Sequence, residues 1–272
     1  MNENMLENPA TQENITTLKK RGVFIIEPEI GPLADLQIGK GRMPDPSKIY
    51  EEIIDFLDGD NTFSGKRILV TAGATKEFID PVRFITNASS GKTGIEIAKA
   101  AKRMGGEVHL IYGDVSVPLP RVHRYTSTTT TEELLQATQE AFKECDILIM
   151  TAAPADFKPL EMSNTKLPKV PTLTMELVET PDILKEVSKG KDKKILVGFA
   201  LQTEDIERNA VRKMEEKNLD IIVANRETNI GEDTGDYIIL TRNHKKKVFE
   251  NISKENFAKE LLLFIKELIN GG

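Results

Sequence analysis

The sequence predicts an α/β fold: a mainly parallel sheet with helices on both faces. Two observations carry the prediction. Short apolar runs, such as Ile68-Leu69-Val70-Thr71, Val108 to Tyr112, Asp146 to Met150, Ile195 to Phe199 and Asp220 to Val223, alternate with longer helical stretches. Strands covered on both faces read as continuous apolar runs, and parallel neighbours need crossover helices. The second observation is placement. Gly, Asn, Asp and Lys gather just after those runs, at the carboxyl ends of the strands, where ligands of such folds bind.

In chain order, residues 1–62 stand apart, so the domain reading is 1–62 followed by 63–272. Asn8 to Gln12 precedes a helical stretch, Glu13 to Arg21, that Gly22 ends. Val23-Phe24-Ile25-Ile26 reads as one short strand. Gly31 to Pro46, rich in Gly and Pro and without repeated apolar spacing, reads as loop. Ser47 is the expected cap of a helix from Lys48 to about Leu57. This region has too little apolar periodicity to make a core alone. From Lys66 the pattern changes, and the first strand runs into Ala72-Gly73. A helix is expected from Gly94 to Met104, with Ile97, Ala98 and Ala101 apolar and a stop at Gly105-Gly106. The second strand, Val108 to Tyr112, leads to a helix from Thr131 to Lys143, whose Glu132 and Glu133 suit a helix N-terminus. Asp146 to Met150 is the third strand and Asp182 to Ser188 a short helix. Two more strands, Ile195 to Phe199 and Asp220 to Val223, flank a charged helix, Glu204 to Lys217. A hairpin around Asn243-His244 and an amphipathic helix, Lys254 to Ile269, complete the chain.

Composition narrows the function. The chain has 272 residues, 29% charged and 39% apolar, as globular proteins do. No apolar run approaches the roughly 20 residues that span a bilayer, and no secretory signal pattern is present. The single Cys145 excludes an intramolecular disulfide and a multi-cysteine metal site; His109, His123 and His244 lack metal-ligand spacing. A cytoplasmic protein in a reducing compartment is expected. The net charge of −6 argues against broad contact with nucleic acid or an anionic membrane. An anionic ligand would need a local cluster of donors.

Several segments supply one. Gly73-Ala74-Thr75 ends the first strand, and glycine there lets backbone N–H groups approach phosphate; a tight strand-to-helix turn is the plain alternative. Asn87-Ala88-Ser89-Ser90-Gly91-Lys92-Thr93-Gly94 ends like a P-loop, but Thr86 stands where its first glycine belongs, and no strand leads directly into it. Serine hydroxyls and a glycine amide at a helix start still suit an anion, or simply cap the helix. The third strand runs into Thr151-Ala152-Ala153-Pro154-Ala155-Asp156, small residues beside which a ligand can lie close; Asp156 either orients that ligand or caps a local turn. Lys166 and Lys169 lie where Pro168 and Pro171 forbid helix; such lysines swing over a phosphate or remain solvated surface. Lys213 and Lys217 share one face of the charged helix, a solvated face by default, since Glu204, Glu207, Glu215 and Glu216 accompany them.

Together these segments resemble the phosphopantothenate–cysteine ligase family, the synthetase half of the bifunctional coenzyme A biosynthesis protein. The resemblance covers Lys66 to the C-terminus. It rests on Val70 to Glu77, Ile79 to Asn87, Ser89 to Lys92, Ala152 to Pro159, Lys166 to Lys169, Pro181-Asp182-Ile183, Val197 to Ala200 and Lys217 to Asn225. It implies a Rossmann-like fold and a two-step reaction: activation of the phosphopantothenate carboxylate by a nucleoside triphosphate, then transfer to the amine of L-cysteine. It also implies roles. Asn87 matches the asparagine that holds the acyl-nucleotidylate, and Lys166 the lysine that steadies the phosphates; these are the expected catalytic residues. The nucleotide is expected against Gly73, Ser89, Ser90, Gly91, Ala152, Ala153, Asp156, Lys166, Pro181, Asp182, Ile183, Leu184, Phe199, Lys213 and Lys217. Mg²⁺ is expected with the triphosphate, held mostly by phosphate and water, with no protein metal site. A homodimer is implied. The layout is nearer the bacterial and archaeal form, so CTP rather than ATP is the expected nucleotide. Three departures touch nucleotide preference more than reaction class: Ala74 replaces a common glycine, Pro168 a lysine, and Leu201-Gln202 the usual Ala-Glu.

The first 62 residues resemble the tail of the flavin-dependent phosphopantothenoylcysteine decarboxylase, through Met1-Asn2, Met5, Asn8 to Asn14 and Gly39 to Met43. The flavin-binding strands of that domain are missing, and no cysteine lies in Leu33 to Gly41, where Asp35 stands near the place of the decarboxylase acid. Neither flavin nor decarboxylation is expected, and the chain reads as a truncation or natural start of a once bifunctional polypeptide. Two other readings are an NAD(P)-dependent oxidoreductase, with Asp114 holding a ribose, and a non-catalytic nucleotide-binding module. The absent G-x-G-x-x-G pattern and the lack of catalytic Tyr or His candidates argue against the oxidoreductase.

Overall fold

In the computed structural model, which describes residues 1–57, 59–201, 206–225, 227–229, 231–243 and 245–270, the chain forms two units, Met1–Gly59 and Asp60–Gly272. The first contains α1 (Glu3–Glu7), α2 (Pro9–Lys20), β1 (Glu29–Pro32), β2 (Ile38–Arg42) and α3 (Pro46–Leu57). Several expectations are corrected here. Helix α2 begins at Pro9, not Glu13: the Asn8 side chain accepts from the Ala10 N–H at 3.0 Å, and proline at the first helical position loses no needed donor. Helix α3 likewise starts at a proline, Pro46, and the Asp45 carbonyl, not Ser47, receives its first N–H groups, from Lys48 and Ile49. Val23 to Ile26 forms no strand; Phe24 instead sets its ring 4.8 Å from that of Phe56. Gly31 to Pro46 is not all loop, because β1 and β2 pair as an antiparallel hairpin with Gly31 opposite Gly39. Backbone pairing between glycines leaves no apolar alternation to read.

The second unit runs β3 (Arg67–Ala72), β4 (Lys76–Phe78), β5 (Phe84–Thr86), α4 (Lys92–Arg103), β6 (Glu107–Tyr112), β7 (Arg124–Ser127), α5 (Thr131–Phe142), β8 (Ile147–Met150) and β9 (Phe157–Pro159). It continues with β10 (Leu177–Glu179), α6 (Ile183–Ser188), β11 (Ile195–Leu201), α7 (Ile206–Glu216), β12 (Ile221–Asn225), β13 (Thr234–Thr241), β14 (Lys246–Ser253) and α8 (Lys254–Asn270). The predicted strands and helices are present with shifted ends. The expected start of α7, Glu204, and His244 in the hairpin turn lie outside the described residues. The hairpins β4–β5 and β9–β10 and the strand β7 have no counterpart in the expectations: each is short, and β5, β7 and β10 are largely exposed.

The main sheet has the order β14-β13-β12-β11-β8-β3-β6-β7. From β7 to β12 all pairs are parallel, and β13 and β14 add an antiparallel edge. Numbered among themselves, the parallel strands follow the 3-2-1-4-5-6 order of dinucleotide-binding folds, which reverses between β3 and β8. Alternate residues of each strand feed opposite cores. Ile68, Val70, Ile147 and Ile149 pack with Ile97 of α4 and Leu261 of α8 on one face. Leu69, Leu148 and Leu196 pack with Leu134, Leu184 and Met214 of α5, α6 and α7 on the other. The prediction of an α/β Rossmann-like sheet covered on both faces holds.

Candidate functional site

The reversal of strand order opens a crevice at the carboxyl ends of β3 and β8, and the chain leaving each strand forms its walls. From β3 the chain turns at Gly73, whose φ of +82° suits glycine and whose absent Cβ would otherwise run into the Asp114 carbonyl. The β4–β5 hairpin is inserted between this turn and α4. That insertion separates Gly73 from Gly91 in sequence, although the two lie side by side in space, where a Cβ on Gly91 would come within 3.2 Å of the Gly73 backbone. It also explains why no compact glycine fingerprint is readable. Ser89 and Ser90 are half-buried just before α4, and their Oγ atoms accept from the Gly91 and Lys92 N–H groups, both at 3.4 Å. Gly91, left-handed, is the N-cap of α4 and has no side chain to cap it; the first amide of the helix, that of Lys92, is met by Ser90 Oγ instead.

The loop after β8 is the most firmly held part. The Ala152 N–H donates to Thr71 Oγ1 at 3.2 Å and the Ala155 N–H to Thr75 Oγ1 at 2.9 Å. Asn87 Nδ2 donates to the carbonyls of Pro154 at 2.9 Å and Ala153 at 3.4 Å. Thr180 Oγ1 donates to the Ala155 carbonyl, and the Thr180 N–H to that of Asp156. Beneath the loop, the buried Glu77 carboxylate accepts from the Thr131 N–H and Oγ1, both at 2.7 Å, at the start of α5. A carboxylate at a helix N-terminus is favourably placed. The sequence assigns none of Thr71, Thr75, Glu77, Thr131 or Thr180 a part in holding this loop: Thr75 reads as part of the turn Gly73-Ala74-Thr75 and Thr131 as a helix start.

Ala152, Asp156, Pro181, Asp182, Ile183, Leu184, Phe199 and Lys217 line one cleft of about 300 Å³, together with Met150, Pro154, Ala155, Phe157, Glu179 and Thr180. A volume of this order suits a small ligand. Its charge is mixed. Asp182 caps α6 by accepting from the Lys185 N–H and holds Lys217 at 2.8 Å, while Asp156 and Glu179 add further carboxylates. Gly73, Asn87, Ser89, Ser90, Gly91, Ala153, Lys166 and Lys213 do not line it. Lys213 is half-buried on α7, one turn before Lys217. Lys166 is exposed on the loop after β9. Asp114, the acid of the oxidoreductase reading, is paired with Lys76 at 2.9 Å. Among the described residues no three His, Cys, Asp or Glu side chains cluster as a metal site, and no helix is long and apolar enough to cross a membrane.

Asp80 has no role of its own in the sequence reading, where it falls within the motif Ile79 to Asn87. It is fully buried at the β4–β5 turn; Oδ1 accepts from the Val82 and Arg83 N–H groups at 2.8 and 2.9 Å, and Oδ2 from the Leu167 N–H at 3.1 Å. Burial alone would raise its pKa. The N–H donors of Val82, Leu167 and Arg83, with the Arg83 guanidinium, outweigh burial and hold the carboxyl below the ordinary Asp value. The signal was available in Ile79-Asp80-Pro81-Val82-Arg83, since an Asp followed by Pro favours a turn that the side chain closes.

Fold and cleft define a Rossmann-like α/β protein with a small-ligand-sized cleft at the carboxyl end of β8, beside β11. Comparison with known proteins makes this specific. Residues 63–269 match the family model of the DNA/pantothenate metabolism flavoprotein C-terminal domain, and residues 1–58 match a flavoprotein model. This chain belongs to the DNA/pantothenate metabolism flavoprotein family. It is 38% identical over 276 residues to the coenzyme A biosynthesis bifunctional protein CoaBC of Bacillus subtilis (strain 168), covering 98% of this chain and 68% of that protein. It is 40% identical over 281 residues to a protein named cysteine/cysteine sulfinic acid decarboxylase from an unknown prokaryotic organism, covering 99% and 78%. The crystal structure of the C-terminal domain of a CoaBC protein superposes with a TM-score of 0.69 at 35% identity, over 78% of this chain and all of that one.

Proposed function

We propose that this protein joins 4′-phosphopantothenate to L-cysteine through an acyl-cytidylate, as a cytoplasmic, CTP-dependent phosphopantothenate–cysteine ligase of coenzyme A biosynthesis. The observation that carries the reading is the crevice itself. The Ala152–Asp156 loop, braced by Asn87, adjoins both the cleft holding Lys217 and Phe199 and the glycine turns at Gly73 and Gly91. A nucleoside in the cleft can direct its phosphates to those turns, where backbone amides and a helix N-terminus favour negative charge.

The reaction then proceeds in two steps. A carboxylate oxygen of phosphopantothenate attacks the α-phosphorus of CTP, the α–β phosphoanhydride bond breaks, and pyrophosphate leaves with the bonding pair. The cysteine amine next attacks the acyl carbon, the acyl–phosphate bond breaks, CMP leaves, and the amine nitrogen gives up a proton. Catalysis of both steps rests on positioning and on cations that meet developing charge. Lys166 is assigned to the phosphates of the first step, and Asn87, through its amide, to the acyl-cytidylate before the second. Gly73, Ser89, Ser90, Gly91, Ala153, Lys213 and Lys217 complete the nucleotide contacts. Mg²⁺ is expected to accompany the triphosphate through phosphate oxygens and water. Residues 1–62 are read as similar to the tail of the decarboxylase domain, in line with the flavoprotein model that matches residues 1–58. The deciding experiment supplies phosphopantothenate, cysteine, Mg²⁺ and one nucleotide at a time and measures pyrophosphate. Release is expected with CTP above ATP. No release with any nucleotide ends the proposal, and release with ATP alone ends its CTP part.

A further inference from the structure

The loop that carries Lys166 is tied to the β4–β5 turn at three points. The Ser163 N–H donates to the Ile79 carbonyl at 3.0 Å, the Leu167 N–H to Asp80 Oδ2 at 3.1 Å, and Arg83 Nη2 donates to the Leu167 carbonyl at 3.2 Å. Both polar groups of Leu167, the residue after Lys166, are thus held by one Asp–Arg unit. Around this unit the loop is exposed and irregular, and Pro168 follows immediately. Asp80 is suited to the task. It has no exposed surface, its other oxygen is fixed by the N–H groups of its own turn, and Arg83 Nη1 lies 3.5 Å from Oδ2. A charged acceptor of a backbone N–H makes a strong, short-range anchor. The same hairpin continues through β5 to Asn87, so one turn reaches both proposed catalytic residues.

We propose that Asp80 is a positioning residue: it sets the backbone at Leu167, and so the reach of Lys166 toward the nucleotide phosphates, without touching substrate itself. The chemical half of this inference rests on the ligase reading above; the structural half does not. The test is a double-substitution cycle of Asp80→Asn and Lys166→Gln, with pyrophosphate release and melting temperature followed together. Asp80→Asn is expected to lower kcat for pyrophosphate release by about tenfold or more with a small change in the KM for CTP. In the Lys166→Gln background it should cost less than about twofold further, since the lysine it positions is gone. Additive losses in the two backgrounds overturn the proposal, as does an unchanged kcat in folded Asp80→Asn. Amide hydrogen exchange at Leu167, measured without ligand, separates the two readings. Faster exchange in Asp80→Asn than in wild type supports the anchor even if wild type releases no pyrophosphate, a result that would sink the ligase reading alone. Unchanged exchange removes the anchor. Should Asp80→Asn fail to fold, Asp80→Glu, which keeps the charge and displaces the acceptor, goes through the same cycle with the same outcomes.

Discussion

At the residue scale, two positions show what the crevice requires. Gly94 is buried inside α4, and a Cβ there would collide with Thr151 Oγ1, Ala72 Cβ and the Thr71 carbonyl. Two of those partners are framework, so the neighbours cannot simply turn away. Gly94→Ala is therefore expected to destabilise the protein by about 1–3 kcal/mol, despite alanine's better helix propensity, and a denaturant melt checks this. Asp80 gives a pH dependence. Its carboxyl sits below the ordinary Asp value in the folded protein, so its stabilising contribution is complete above that ordinary value and is lost as pH falls through the lower, folded one. The stability difference between wild type and Asp80→Asn should be constant near neutrality and shrink only in acid, below about pH 4. A difference that varied between pH 6 and 8 would contradict this. Cys145 behaves in the opposite sense: burial pushes its thiol up to about 12. It should resist alkylation until the protein unfolds, which mass spectrometry after iodoacetamide treatment can read.

At the element scale, sequence patterns were reliable where a whole strand or helix is buried and poor where an element is short or exposed. β3, β8, β11 and β12 were visible as apolar runs because both faces are covered. The hairpins β4–β5 and β9–β10 were not, since each three-residue strand has too few positions to show a period of two. The same split holds for the site. Pro181 to Leu184, Phe199 and Lys217 gather at one cleft, but the resemblance to a family pointed to them, not periodicity. The side chains that hold the loop, Thr71, Thr75 and Asp80, are fixed by contacts some 80 residues distant in the chain. Such contacts leave no local trace. Helix α5 offers a test at this scale. Its cap is Thr130, one residue before the expected start, whose side chain accepts from the Glu133 N–H at 3.2 Å while Glu133 accepts from the Thr129 N–H at 2.7 Å. Thr130→Ala is expected to cost about 0.5–2 kcal/mol by thermal melting, and Thr130→Asp to leave stability nearly unchanged.

At the scale of the whole molecule, the question is what covers the apolar side chains left on the two small hairpins. Val82 and Phe84 on one, and Phe157, Leu160 and Leu177 on or beside the other, are 39–59% exposed. The two hairpins adjoin each other through β4 and β9, so these side chains belong to one region of the second unit. Exposed apolar side chains gathered in one region are what an interaction surface would present. The expected homodimer supplies an occupant, because a two-fold contact places the same patch against itself. One hairpin carries Asp80 and the other encloses the Lys166 loop, so pairing there would stiffen the part of the structure that positions the proposed catalytic residues. Light scattering at micromolar concentration should give the mass of two chains. A Leu160→Glu, Leu177→Glu double variant, at two exposed side chains outside the cleft, should shift it toward one chain and lower pyrophosphate release more than the melting temperature of the remaining fold. A wild-type monomer with full activity would show that these apolar side chains serve neither assembly nor the site.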